Sequence, residues 1–220
     1  MARLESDLFN YESHSEKDGV LINNKGIKNK EELDKFERKN TTARLALLYL
    51  NPSLSYKKLK NVRKFSMEHF FSIHKFIFDG IYPFAGEIRD DVIEKRIPFC
   101  LPQNIYYCLK DTLDKMDKYS SRIKTRDDLL EFITYYFPEI DIIHPFREGN
   151  GRCEREFFRQ YVIDICNKCN IGKYYLDFTK ISDKDDFIEA VIKADICIDS
   201  NHLKSIFDNI LVGEEKHLRR

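Results

Sequence analysis

Net charge is the first thing this sequence lacks: its 37 lysines and arginines match its 37 aspartates and glutamates across 220 residues. A balanced chain has no global field to draw it to a polyanion, so a basic surface would have to be local. Direct nucleic-acid binding and membrane association are not expected. Long apolar runs are also missing. No stretch approaches the roughly 20 residues that cross a bilayer, and the opening Met1-Ala2-Arg3-Leu4-Glu5-Ser6-Asp7 has no apolar signal-peptide core. The expectation is a soluble, cytoplasmic protein. Internal repeats, low-complexity tracts and Gly/Ser linkers are absent, leaving one domain with appendages. The six cysteines form no framework. Cys166 and Cys169 make a single C-x-x-C without a second pair or a nearby histidine, and Cys100, Cys108, Cys153 and Cys197 are scattered. Reduced thiols, several of them in the core, are the expectation.

What is present is mostly helical periodicity. Residues 1–30 are polar and turn-rich and read as a loosely structured arm. Asn29 with Glu32 three positions on caps a helix that runs through the leucine-rich segment to Leu50, before Pro52 stops it. Residues 66–78 carry Phe70, Phe71, His74, Ile77 and Phe78 on one stripe, which reads as core. Further helices are predicted over 105–119, 126–140, 182–197 and 201–211. Pro138 is expected to kink the fourth or end it early. Between the second and third helices, Val92, Ile93, Ile97 and Phe99 alternate with charges and predict a short β-hairpin. The fold class is all-α, a helical bundle with one hairpin.

Residues 144–155 concentrate the chemistry. His144 is a candidate general base, because its side chain titrates near neutral pH. Glu148 is a hard oxygen ligand suited to Mg²⁺. Gly149, Asn150 and Gly151 make a turn whose amides can form an anion nest. Arg152 and Arg155 are forked donors three positions apart. The helical run that follows, with Phe157, Phe158, Tyr161, Val162, Ile165 and Cys166, puts this turn at a helix N-terminus, where phosphate is favoured. Separately, each feature is an ordinary turn, a core histidine or a solvated ion pair. Together they describe a nucleoside triphosphate site.

The stretch His144-Pro145-Phe146-Arg147-Glu148-Gly149-Asn150-Gly151-Arg152, with Arg155 three further on, resembles the motif of Fic (Fido) domain proteins, H-P-F-x-[DE]-G-N-G-R-x-x-R, and fills every defined position. Residues 73–89, including Ile73, His74, Phe76, Ile81, Tyr82, Pro83, Ala85, Gly86, Glu87, Ile88 and Arg89, are similar to the segment that leads into that family's flap. The likeness covers about residues 58–211, flanked by an N-terminal arm and helix (1–57) and a tail (212–220). Residues 24–33 resemble, more weakly, the lead-in found in the toxin and secreted-effector branch. That branch makes delivery into another cell the alternative to a purely cytoplasmic life.

The resemblance implies a Fic-type helical bundle with a β-hairpin flap and a protein adenylyltransferase. ATP is the substrate, Mg²⁺ the cofactor, and the product is AMP on a Tyr, Thr or Ser hydroxyl of a target protein. It makes His144 the base and Glu148 the Mg²⁺ ligand. Gly149, Asn150 and Gly151 cradle phosphate oxygens, Arg152 meets the β-phosphate and Arg155 the γ-phosphate. The flap residues Ile93, Glu94, Lys95, Arg96, Ile97, Pro98 and Phe99 dock an extended target segment by strand addition. Two positions depart from the usual pattern: Glu154 lies between the two arginines, where helical geometry is expected to turn it away from Arg155, and Asp141 stands where relatives often have asparagine. Gly151 argues against the kinase-like relatives, which carry lysine there. A phosphocholine donor, or a silent nucleotide-regulated binding module, are the remaining alternatives. The inhibitory pattern [ST]-x-x-x-E-[GN] of the family is absent from the sequence. Residues 212–220 leave little room for an extra inhibitory helix, so a small antitoxin-like protein acting in trans on Arg155 is the expected form of control.

Overall fold

Caps and apolar stripes set the helices where the sequence puts them. The computed structural model describes residues 16–17, 19–57, 63–93, 97–196 and 199–213. Helix α1 (Lys30–Leu50) starts at Asn29, whose side chain accepts from the Glu32 amide. It gives way at Asn51 to a single 3-10 turn, Pro52–Ser55. Helix α2 (Met67–Phe78) is capped by Ser66 and buries Phe70, Ile73, His74, Ile77 and Phe78. Helix α3 (Pro102–Ser120) begins on a proline. Helix α4 (Arg126–Asp141) opens with a reciprocal Thr125–Asp128 capping box. Helix α5 (Asn150–Cys169) is central, packing on both α2 and α4. Helices α6 (Lys184–Ile196) and α7 (Asn201–Ile210) then pack on α4. The fold is all-α, and no helix among the described residues is long and apolar enough to cross a membrane.

Three expectations need correction. Pro138 lies inside α4, which runs on to Asp141. The backbone bond lost at proline is outweighed by burial on either side, with Phe137 and Ile140 in the core. The arm is not loose over residues 19–29. Strands β1 (Glu16–Lys17) and β2 (Val20–Leu21) pair antiparallel. The Asn24 amide donates to the Ile81 carbonyl at 2.8 Å, and the Asn23 side chain ties together Leu21 and Ile27. A second ribbon pairs β3 (Tyr174–Leu176) with β4 (Leu211–Gly213), so α7 stops at Ile210 and Leu211 is already strand. The predicted hairpin closes through the Phe99 amide on the Ile93 carbonyl at 3.3 Å. Its tip, Glu94, Lys95 and Arg96, lies outside the described residues.

The core lies directly under the motif. Phe146 is fully buried between Phe70 and His74, its ring 3.7 Å from the imidazole, and Phe65 stacks on Tyr161 at 4.2 Å. Cys153 and Cys166 are buried in the same core.

Candidate active site

The loop between α4 and α5 carries His144 in a left-handed conformation, φ +47°, unusual for a residue with a side chain. Arg89 holds it there. Buried at 4% exposure, Arg89 donates from Nε to the His144 carbonyl at 2.7 Å and from its amide to the Pro145 carbonyl at 2.9 Å. Its Nη2 reaches the Cys100 carbonyl at 2.5 Å, so loop and flap base share one clamp. The His144 Nδ1 lies 3.2 Å from the Asp141 carbonyl, an acceptor only, so Nδ1 carries a proton towards it. The Phe99 ring lies flat on the imidazole at 3.8 Å.

A second clamp works from below. His74 accepts from the Gly86 amide at Nδ1 and donates from Nε2 to the Glu148 carbonyl, both at 2.8 Å. Burial pushes its pKa down to about 3, so it stays neutral with one fixed tautomer. Asn150 is also committed inward: its side chain accepts from the Phe146 amide at 2.8 Å and donates to the Phe146 carbonyl at 2.6 Å. Only its backbone remains for an anion. Gly149 has φ +84°, and a Cβ there would sit 2.1 Å from the Phe78 ring. Its amide donates to its neighbour Glu148 at 2.8 Å, so Gly149 supplies the turn rather than a free donor. A Cβ on Gly151 would approach the Arg155 Nη1 to 3.0 Å.

Arg152 and Arg155 differ sharply. Arg152 is paired with Glu37 of α1 at 2.6 Å and with Glu148 at 3.1 Å, and it lies over the Phe78 ring at 4.7 Å. Arg155 makes no ion pair among the described residues and folds back over Gly151. Glu154 corrects its expectation. It faces the same cavity as Arg155, is 2% exposed, and keeps one carboxyl oxygen without a partner while the side chain meets Asp141. Burial, then the nearby Asp141, pushes its carboxyl well above the usual range.

His144, Gly151 and Arg155 line a cavity of about 290 Å³ whose apolar wall comes from Ile97 and Phe99 of the flap and from Phe187 and Val191 of α6. The wall on α6 gave no sequence signal, because it lies about 30 residues beyond the motif and contacts it only through the fold. On the other side of the motif, Glu148 and Arg152 border a cavity of about 670 Å³ with Glu37 and Tyr82. Glu148 is 42% exposed over its side chain, and its Oε1 accepts from the Gly149 amide and Arg152. Among the described residues no three His, Cys, Asp or Glu side chains converge on a metal position. One accessible carboxylate such as Glu148 suits Mg²⁺, which completes its shell with phosphate oxygens and water.

A histidine in a left-handed conformation, a glycine at the start of a helix and an arginine with no ion pair among the described residues share one cavity. The sequence profile of the Fic/DOC family matches residues 64–162. Residues 64–162 form a Fic/DOC domain. The chain is 28% identical over 165 residues to the protein adenylyltransferase VbhT of Bartonella schoenbuchensis; the match covers 74% of this chain but 31% of VbhT, so the chain corresponds to under a third of that relative. Among solved structures it superposes on the N-terminal Fic domain of a VirB-translocated Bep effector from Bartonella quintana, with TM-score 0.72 and 22% identity, over 90% of this chain and 91% of that one. It also superposes on BepC from Bartonella tribocorum, solved with bound AMPPNP, with TM-score 0.67 and 20% identity over 89% of this chain and 94% of that one. These likenesses establish the fold of the Fic domain.

Proposed function

We propose that the chain is a protein adenylyltransferase that moves AMP from Mg²⁺-ATP to a Tyr, Thr or Ser hydroxyl of a target protein. The observation that carries the reading is the placement of His144, held at φ +47° by Arg89, on a cavity that also contains Gly151 and Arg155. Nε2 takes the proton of the target hydroxyl as that oxygen bonds to the α-phosphorus. The bond from this phosphorus to the α–β bridging oxygen breaks, and pyrophosphate leaves with the electron pair. The backbone amides at the start of α5 meet phosphate oxygens, with Gly149 setting the turn, while Arg152 and Arg155 offset the charge of the leaving group. Glu148 would hold Mg²⁺, which supplies further charge neutralisation on the phosphates when bound.

The relatives' names and the bound nucleotide analogue in BepC support a nucleotide-using transferase. The test uses α-labelled ATP, with CDP-choline as a parallel donor. The wild type is expected to label itself or a lysate protein from ATP, and His144→Ala to remove the label while keeping its melting transition. Label arriving only from CDP-choline would make the chain a phosphocholine transferase. The flap, Ile93 to Phe99, is the proposed docking strand for the target. Arg155, which makes no ion pair among the described residues, supports control in trans by a small antitoxin-like protein that presents a carboxylate. The likeness to VirB-translocated effectors supports delivery into another cell as the place of action; a translocation reporter fused to the full chain that stays in the producing cell would contradict it.

A further inference from the structure

The Fic/DOC profile begins at residue 64, yet one of the phosphate arginines is held by a residue well before it. Glu37 lies in the second turn of α1. Its Oε1 accepts from Arg152 Nη1 at 2.6 Å, and its Oε2 accepts from the Tyr82 hydroxyl. The buried Thr41 hydroxyl, one helical turn on, lies 3.3 Å from the same Nη1. Burial, followed by the hydrogen bond to Glu37, drives the Tyr82 hydroxyl's pKa far up, so it stays protonated and keeps donating. The geometry points to Glu37 as a positioning residue that fixes the Arg152 guanidinium for phosphate, which makes α1 part of the active site.

Counting donors separates positioning from blocking. A guanidinium has five N–H groups. Glu37 and Thr41 use the pair on Nη1, and Glu148 takes one on Nη2. Nε and the second Nη2 hydrogen remain for a ligand. Glu37 therefore grips one edge and leaves the other edge free. Its side chain is only 13% exposed, both its oxygens are occupied, and its helix packs on α2, so it is not built to swing away as a latch would. The Phe78 face and the Glu37 edge together fix a planar group that would otherwise sample many rotamers. The local sequence hides this because the partners lie 115 positions apart.

This inference rests on the transferase reading, and the test separates the two. Binding of a non-hydrolysable ATP analogue with Mg²⁺ is measured by calorimetry for wild type, Glu37→Ala, Arg152→Ala and the double variant, beside AMP-transfer kinetics. Glu37→Ala is expected to weaken analogue binding about tenfold and to lower kcat/KM for transfer about 10–100-fold, as removal of a group that orients another does. On the Arg152→Ala background the same change is expected to alter binding less than about twofold, because the coupling partner is gone. Glu37→Gln keeps shape and an acceptor oxygen, so it is expected to lose about threefold, and it reads the same cycle should the alanine variant not fold. Additive losses, unchanged affinity in a folded variant, or a gain in transfer on removing Glu37 would overturn the proposal; the last would make Glu37 an inhibitor. If no variant transfers AMP while the binding cycle stays coupled, the transferase reading fails and the role of Glu37 stands. Absence of analogue binding by the wild type would overturn both.

Discussion

Residue by residue, the site is a set of unusual local conformations maintained by buried polar contacts. The three glycine-turn positions are not equivalent. Gly149 faces a fixed ring and has a positive φ, so Gly149→Ala is expected to destabilise the fold by at least about 2 kcal/mol, combining backbone strain with overpacking. Gly151 faces the movable end of Arg155, so Gly151→Ala is expected to keep most of its stability while displacing the guanidinium and lowering transfer. Urea unfolding of both variants beside the transfer assay checks this, and equal stability losses would contradict it. Buried titrating groups set the pH response. Burial pushes the pKa of His69 down to about 4 and that of His74 to about 3 from an ordinary 6.5. The native state refuses protons that the unfolded chain takes up, so this stability is complete above about pH 6.5 and is lost as pH falls towards 4 and 3. Asp195 has the opposite sign. Burial, then Asp141 and Glu139, raises it to about 8, so its native proton is released by the unfolded chain, and stability falls as pH rises from near 4 to 8. Melting temperatures across pH should therefore show Asp195→Asn gaining on the wild type more at pH 8 than at pH 5. A constant offset would contradict it.

Among the elements, those with a strong local signature were legible in the sequence. The Asn29 cap and the apolar stripes are encoded within a few residues and fold where they are read, whereas the Ser66 and Thr125 caps came from the structure. The short ribbon of Tyr174–Leu176 with Leu211–Gly213 was not legible, because three residues are too few to show alternation and their partner lies about 35 positions away. The motif residues were legible as a set, but the directions of their side chains were not. Asn150 turns inward to Phe146, and Glu154 lines the cavity beside Arg155 with residues of α4 and α6. The flap is where this matters most for function. Ile97 and Phe99 line the cavity with His144, and in the proposed reading the flap's inner face would border the nucleotide while its edge would take the target. Ile97→Pro is expected to reduce target labelling strongly with little change in binding of the ATP analogue. A parallel loss of both would assign the flap to nucleotide binding alone.

At the scale of the whole molecule, α1 and α6 lie outside the matched span yet wall the two cavities on either side of the motif, so the site is a property of the full bundle. Arg155, with no ion pair among the described residues, is the open position in that assembly. Co-expression with a small protein encoded beside this chain is expected to suppress labelling, and replacing that partner's carboxylate contact to restore it. Suppression that survives the loss of every glutamate in the partner would contradict control through Arg155. The central claim is that AMP, and not phosphate, leaves ATP for a protein hydroxyl. Purified chain with Mg²⁺ and a labelled target fraction, given ATP labelled at the α-phosphate in one reaction and at the γ-phosphate in another, tests it most directly. The account predicts protein-bound label from the α-position, none from the γ-position, and neither with His144→Ala; transfer from the γ-position would contradict it.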